Sequence, residues 1–126
     1  MTDTKQLSLW GRDFELSVIY DRYDGEEILP EQREAIDKLL HHWSEAEKSK
    51  TAVVEFCLER DPDKFPGSAI DNIFKYVIPQ QLYVERTTKQ RIVYILCAYR
   101  YDDEAGIAIK FVDEKFAEVS TQNGIG

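Results

Sequence analysis

Eight consecutive residues, Ile92 to Tyr99, are apolar on both parities: Val93, Ile95, Cys97 and Tyr99 on one, Ile92, Tyr94, Leu96 and Ala98 on the other. A strand with two apolar faces belongs in the middle of a sheet, covered on both sides, so the rest of the chain must be arranged around it. The strand pattern extends from Arg91 to Tyr101, and its surroundings also have period two. Leu82 and Val84 precede it, Gly106 to Val112 follows with Ile107, Ile109 and Phe111 set against Lys110, and Lys115 to Ser120 closes the series. Polar or turn residues separate these runs, which is the pattern of an antiparallel meander.

The N-terminal half mixes both periods. Phe14, Leu16, Val18 and Tyr20 alternate with Glu15, Ser17 and Asp21, predicting a half-buried strand, and Leu7 and Leu9 across Gly11 predict a shorter partner. After the turn formers of Asp21 to Glu27, Pro30 suits the first position of a helix whose apolar stripe is Ala35, Ile36, Leu39, Leu40 and Trp43. Ser44 and Glu47 have capping-box spacing, so a second helix is predicted over 44–60, with Ala52, Val53, Phe56 and Cys57 inward and Pro62 beyond its end. Ile70, Ile73, Phe74 and Val77 predict a third helix, ended by Pro79. The expectation is one α+β domain over residues 1–126, with a mainly antiparallel sheet and about three helices on one face.

The 126 residues carry 16 Lys and Arg against 24 Asp and Glu, a formal charge of −8. That is the wrong sign for holding nucleic acid or an anionic membrane by charge, and it favours a cationic partner. No apolar run approaches the roughly 20 residues that cross a bilayer, and Met1 to Lys5 leads into no signal-peptide core. The expectation is a cytoplasmic protein with Cys57 and Cys97 as reduced, buried thiols. The histidines, His41 and His42, are adjacent and would point about 100° apart on a helix, so they do not converge on one metal or substrate. No phosphate loop or dinucleotide fingerprint is present. The reading is therefore a protein that is not an enzyme and uses no cofactor or metal.

Carboxylates are dense in two loops, Asp21, Asp24, Glu26 and Glu27 in one and Asp102, Asp103 and Glu104 in the other. They lack the alternating oxygen ligands of a calcium loop. If the loops met they would offer acid–base chemistry, the basis of an alternative reading as a carboxylate hydrolase or metal-dependent enzyme; otherwise they are solvated turns or a binding surface. A third reading is a self-associating regulatory module.

The segment Tyr101-Asp102-Asp103-Glu104-Ala105-Gly106-Ile107-Ala108-Ile109 resembles the C-terminal hairpin of a family of small bacterial α+β domains of unknown function, which reads Asp-x-Glu-His-Gly before an alternating apolar strand. Asp102, Glu104 and Gly106 match; Ala105 stands where the family usually has His, so no role of that His carries over. Ile28-Leu29-Pro30-Glu31-Gln32, with Ala35 and Leu39, is similar to the family's Gln-containing helix start. The resemblance implies kinship with immunity proteins of bacterial toxin systems, including contact-dependent inhibition, in which a small protein binds and neutralises a toxin domain. Together with the charge, it leads us to expect a cationic toxin domain as partner, with a nuclease one candidate. The binding residues would be Asp21, Tyr23, Asp24, Glu26, Glu27, Tyr101, Asp102, Asp103 and Glu104. The tyrosines can equally serve as packing at the core edge. Self-association stays open.

Overall fold

The computed structural model describes residues 3–125. Its six strands are β1 (Asp3–Leu9), β2 (Arg12–Tyr20), β3 (Val77–Val84), β4 (Ile92–Tyr99), β5 (Ile107–Val112) and β6 (Lys115–Ser120). They lie in one sheet in sequence order. All neighbours are antiparallel except β2 and β3, which run parallel and are joined by the crossover that carries the helices. The sheet is thus mixed, with the expected antiparallel character outside this one junction.

Two hairpins turn on two residues with left-handed backbone, Trp10 (φ 53°) and Gly11 (φ 87°) between β1 and β2, and Asp113 (φ 48°) and Glu114 (φ 68°) between β5 and β6. This geometry matches the twist of paired strands. The Trp10 indole then folds back, its ring N–H donating to the Ala46 carbonyl at 3.3 Å, while Trp43 donates to the Ser8 carbonyl at 2.7 Å.

Two long helices form, α1 (Pro30–His41) and α3 (Lys50–Arg60), with a single turn α2 (Ser44–Lys48) between them. The uninterrupted helix expected over 44–60 is broken at Ser49, which is buried. Its N–H and its hydroxyl both donate to the Ala46 carbonyl, the hydroxyl at 2.6 Å, occupying the acceptor that a continuing helix would use. Nor does Ser44 act as a side-chain cap. Glu47 instead accepts the Trp10 backbone N–H at 3.0 Å.

The helix predicted from Ile70 to Val77 is not formed. One 3-10 turn at Ile73–Lys75, held by the Asn72 side chain accepting from the Phe74 N–H, leads directly into β3. Pro79 lies inside that strand, beside a register shift between Pro79 and Gln81, where a missing N–H is tolerated. A turn followed by a strand can bury residues at the same three- and four-residue spacing as one face of a helix, which is why periodicity alone misread it.

The helices cover one sheet face. Leu16, Val18, Val84, Val93, Ile95, Cys97, Tyr99, Ile107, Ile109 and Phe111 meet Ala35, Ile36, Leu39, Ala46, Val53 and Cys57 in a single core. Of the core residues expected from the sequence, Phe56 and Phe74 are only partly buried, at its edge. Cys57 and Cys97 are free and buried.

The second apolar parity of β4 faces the other way. Ile92, Tyr94, Leu96 and Ala108 are buried there by Tyr83, Val112 and Ile125, without a helix residue among them. The central strand is therefore covered on both sides as expected, but on this side by side chains of its neighbouring strands and by Ile125 of the C-terminal segment. Among the described residues, no helix is long and apolar enough to cross a membrane.

Candidate functional site: an acidic and aromatic face

Strand register fixes where the two acidic loops lie. Tyr20 is level with Val84, and Val84 with Val93, so the loop after β2 sits at the start of β4. Asp102 follows the end of β4. The loops are at opposite ends of the sheet, about 20 Å apart along the strand direction at roughly 3.3 Å per residue. Their carboxylates do not converge on one catalytic site. Among the described residues, no group of three or more His, Cys, Asp or Glu side chains is placed to hold a metal ion.

The loop after β2 is the more open of the two. Tyr23 is 69% exposed, the most exposed large hydrophobic side chain among the described residues, with the Arg86 guanidinium 5.0 Å from its ring centroid and paired with Glu26. Asp24 and Glu27 are exposed beside it. Asp21 is half-buried and ties the loop down: its N–H donates to the Val84 carbonyl at 2.9 Å.

Around the corner, on the helix-free sheet face, Tyr83 and Tyr94 are direct cross-strand partners with ring centroids 6.2 Å apart. Burial first, and then the nearby Asp21 carboxylate, push the Tyr83 hydroxyl up to about 12. Burial also raises Tyr94, followed by Glu85 and Glu118. Tyr83 and the Asp21 carboxylate therefore continue the acidic loop onto the sheet, while Tyr94 is buried with Lys110 opposite it, between it and Glu118. Sequence reasoning missed Tyr83, Glu85, Tyr94 and Glu118. Tyr94 was read only as part of an apolar strand, although the register that sets it against Tyr83 also sets it apart from the helices.

These shifts have a testable sign. A phenol whose folded value is raised stays protonated in the native state while the unfolded chain loses its proton. The stability it contributes is complete below about pH 10, its ordinary range, and is lost as the pH rises through about 12. Equilibrium unfolding across that window is expected to show a shallower alkaline loss in Tyr83→Phe than in the parent.

The loop after β4 is built differently. Asp102 Oδ1 accepts the Ala105 N–H at 3.0 Å, and Oδ2 pairs with Arg60. The Ala105 N–H, and then Arg60, hold the Asp102 carboxyl below its ordinary value. Tyr101 lies 5.8 Å from each of Phe65, Tyr76 and Tyr99, with Lys64 and Arg100 near its ring. Asp102 and Tyr101 therefore act within the fold, as a turn anchor and a packed ring, leaving Asp103 and Glu104 as the exposed carboxylates at this end.

The motif residues have structural tasks. Gly106 has φ 57°, and a Cβ there would lie 2.5 Å from Gln122 Nε2 and 2.7 Å from the Cys97 carbonyl. The Gln122 amide fills that space, donating to the Cys97 carbonyl at 3.0 Å, while its backbone N–H donates to the Ala105 carbonyl at 2.8 Å. Gln32, 1% exposed, does the same at the start of α1: Oε1 accepts the Leu29 N–H at 2.9 Å, and Nε2 donates to the carbonyls of Asp21 at 2.7 Å and Val84 at 3.2 Å. One buried amide thus joins a helix start to the ends of both parallel strands.

Fold and motif residues define an α+β domain whose distinctive sequence positions are architectural, with a mixed sheet covered by helices on one face. The family described as "Domain of unknown function (DUF6985)" matches residues 2–126, and the chain belongs to it. No curated protein and no solved structure shows a significant match to the chain.

Proposed function

We propose that this protein is a toxin-neutralising immunity protein whose binding face is the acidic loop after β2 together with the Tyr83–Tyr94 side of the sheet. The observation that carries this reading is exposed Tyr23, flanked by the exposed carboxylates of Asp24 and Glu27 and continued by half-buried Tyr83 beside Asp21, with buried Tyr94 packed against the Tyr83 ring from the next strand. Tyrosine is an efficient interface anchor, offering apolar area and a hydroxyl on a stiff side chain. Surrounding carboxylates steer a cationic surface towards it, and the overall charge of −8 extends the attraction. A basic toxin domain, such as a nuclease with a phosphate-binding groove, has the complementary charge. The hairpin resemblance supports the same class.

The test takes the protein encoded by the neighbouring reading frame, which is expected to carry a basic toxin domain. Asp24→Lys, Glu27→Lys and Glu118→Lys combined should slow association about tenfold or more at low salt and flatten its salt dependence, as expected for charges at an interface rim. The thermal midpoint should barely move, because all three side chains are exposed. Reversing Asp103 and Glu104 at the opposite end should leave binding unchanged. A neighbouring protein that carries no such domain, failure of that domain to bind, or equal sensitivity at both ends overturns the proposal.

A further inference from the structure

Along the end of β2, beyond the level of Asp3, lies a groove of about 340 Å³ lined by Asp3, Val18, Ile19, Tyr20, Arg22, Ile28 and Arg33. Its volume is at the lower end of the range for small-molecule sites. Two of its walls are arginines. In this acidic chain Arg60, Arg86 and Arg91 each have a carboxylate partner. Arg22 and Arg33 have none among the described residues.

The side-chain hydrogen bond of Arg22 is a 3.5 Å contact with the Glu26 carbonyl. Arg33 lies 5.8 Å from the Tyr20 ring centroid. A guanidinium over a ring uses its face and leaves its in-plane N–H donors available. Two guanidiniums against the single carboxylate of Asp3 leave the concavity net positive, and the fork of each guanidinium fits a carboxylate or phosphate.

We infer that this groove is a second binding site, in which Arg22 and Arg33 together hold the oxyanion of a small ligand, a phosphate monoester or a carboxylate, whose apolar part rests against Ile28. Asp3 on the opposite lip disfavours a polyanion and accepts from a hydroxyl or ammonium next to the oxyanion. The groove adjoins the proposed toxin face through Arg22, but its ligand has the opposite charge from the partner proposed there, so anion binding to the chain alone is read without reference to a toxin.

Titrating the full chain with inorganic phosphate and, separately, with acetate at constant ionic strength, followed by amide NMR shifts, tests the assignment. Saturable shifts are expected at residues 19–22 and 28–33 with at least one of the two anions, and the responding anion identifies the chemistry. In Arg22→Gln/Arg33→Gln the apparent affinity should fall tenfold or more, with the remaining spectrum and the thermal midpoint unchanged. Arg12→Gln/Arg100→Gln, which removes two arginines outside the groove that also lack ion pairs among the described residues, should bind as the parent does. Shifts that do not saturate, that survive in Arg22→Gln/Arg33→Gln, or that weaken equally in both double variants overturn the inference.

Discussion

Replacing Gln32 with leucine is expected to destabilise the protein by about 2–4 kcal/mol, although the substitution makes the site more apolar. Leucine cannot accept the Leu29 N–H or donate to the Asp21 and Val84 carbonyls, and an unsatisfied buried backbone group costs about 1–3 kcal/mol. The Val84 carbonyl keeps the Asp21 N–H at 2.9 Å, and Asp21 is only half-buried, so the Leu29 N–H bears most of the loss. Urea unfolding should show a lower midpoint with an unchanged slope. A midpoint within experimental error of the parent would mean that the helix start is held by α1 packing alone.

Gly106→Ala should cost about 2–4 kcal/mol, by combining left-handed backbone with a contact that cannot relax easily. The Gln122 side chain can swing away from the new methyl, but the Cys97 carbonyl is part of β4 and cannot. A double variant with Gln122→Ala separates the two contributions. If the amide is the main obstacle, Gly106→Ala costs much less in the Gln122→Ala background. If the carbonyl dominates, the two losses approach additivity.

These two positions show what the sequence made legible and what it did not. Gly106 was readable as a turn glycine because a strand opens after a polar tip, and the structure gives it φ 57°. The partner that makes it intolerant of a side chain, Gln122, lies 16 residues downstream with no local signal. Gln32 lay in the segment that carried the family resemblance, yet its carbonyl partner Val84 is 52 residues away.

Period two located the central strands because alternation is a local consequence of burial on one face. It could not indicate that β2 would pair parallel with β3, since that choice depends on where the crossover returns. The carboxylates were legible as residues and not as a site. Only the register of β2, β3 and β4 separates Asp21 to Glu27 from Asp102 to Glu104. It is also that register which brings Tyr83 and Tyr94 together.

The single parallel junction has a kinetic consequence. Every other strand pair joins neighbours in sequence through a short connection, so the β1–β2 hairpin and the meander β3 to β6 can each form by closing short loops. Pairing β2 with β3 instead closes a loop of 56 residues, 21–76, and a rare long-range contact of this kind dominates the search time of a small domain. The helices lie inside that loop, and packing α1 over β3 and β4 shortens the distance still to be closed. The molecule is thus two locally encoded pieces joined along one nonlocal seam, and the closing of that seam, where the Gln32 amide bridges both strands, is the expected slow step of its folding.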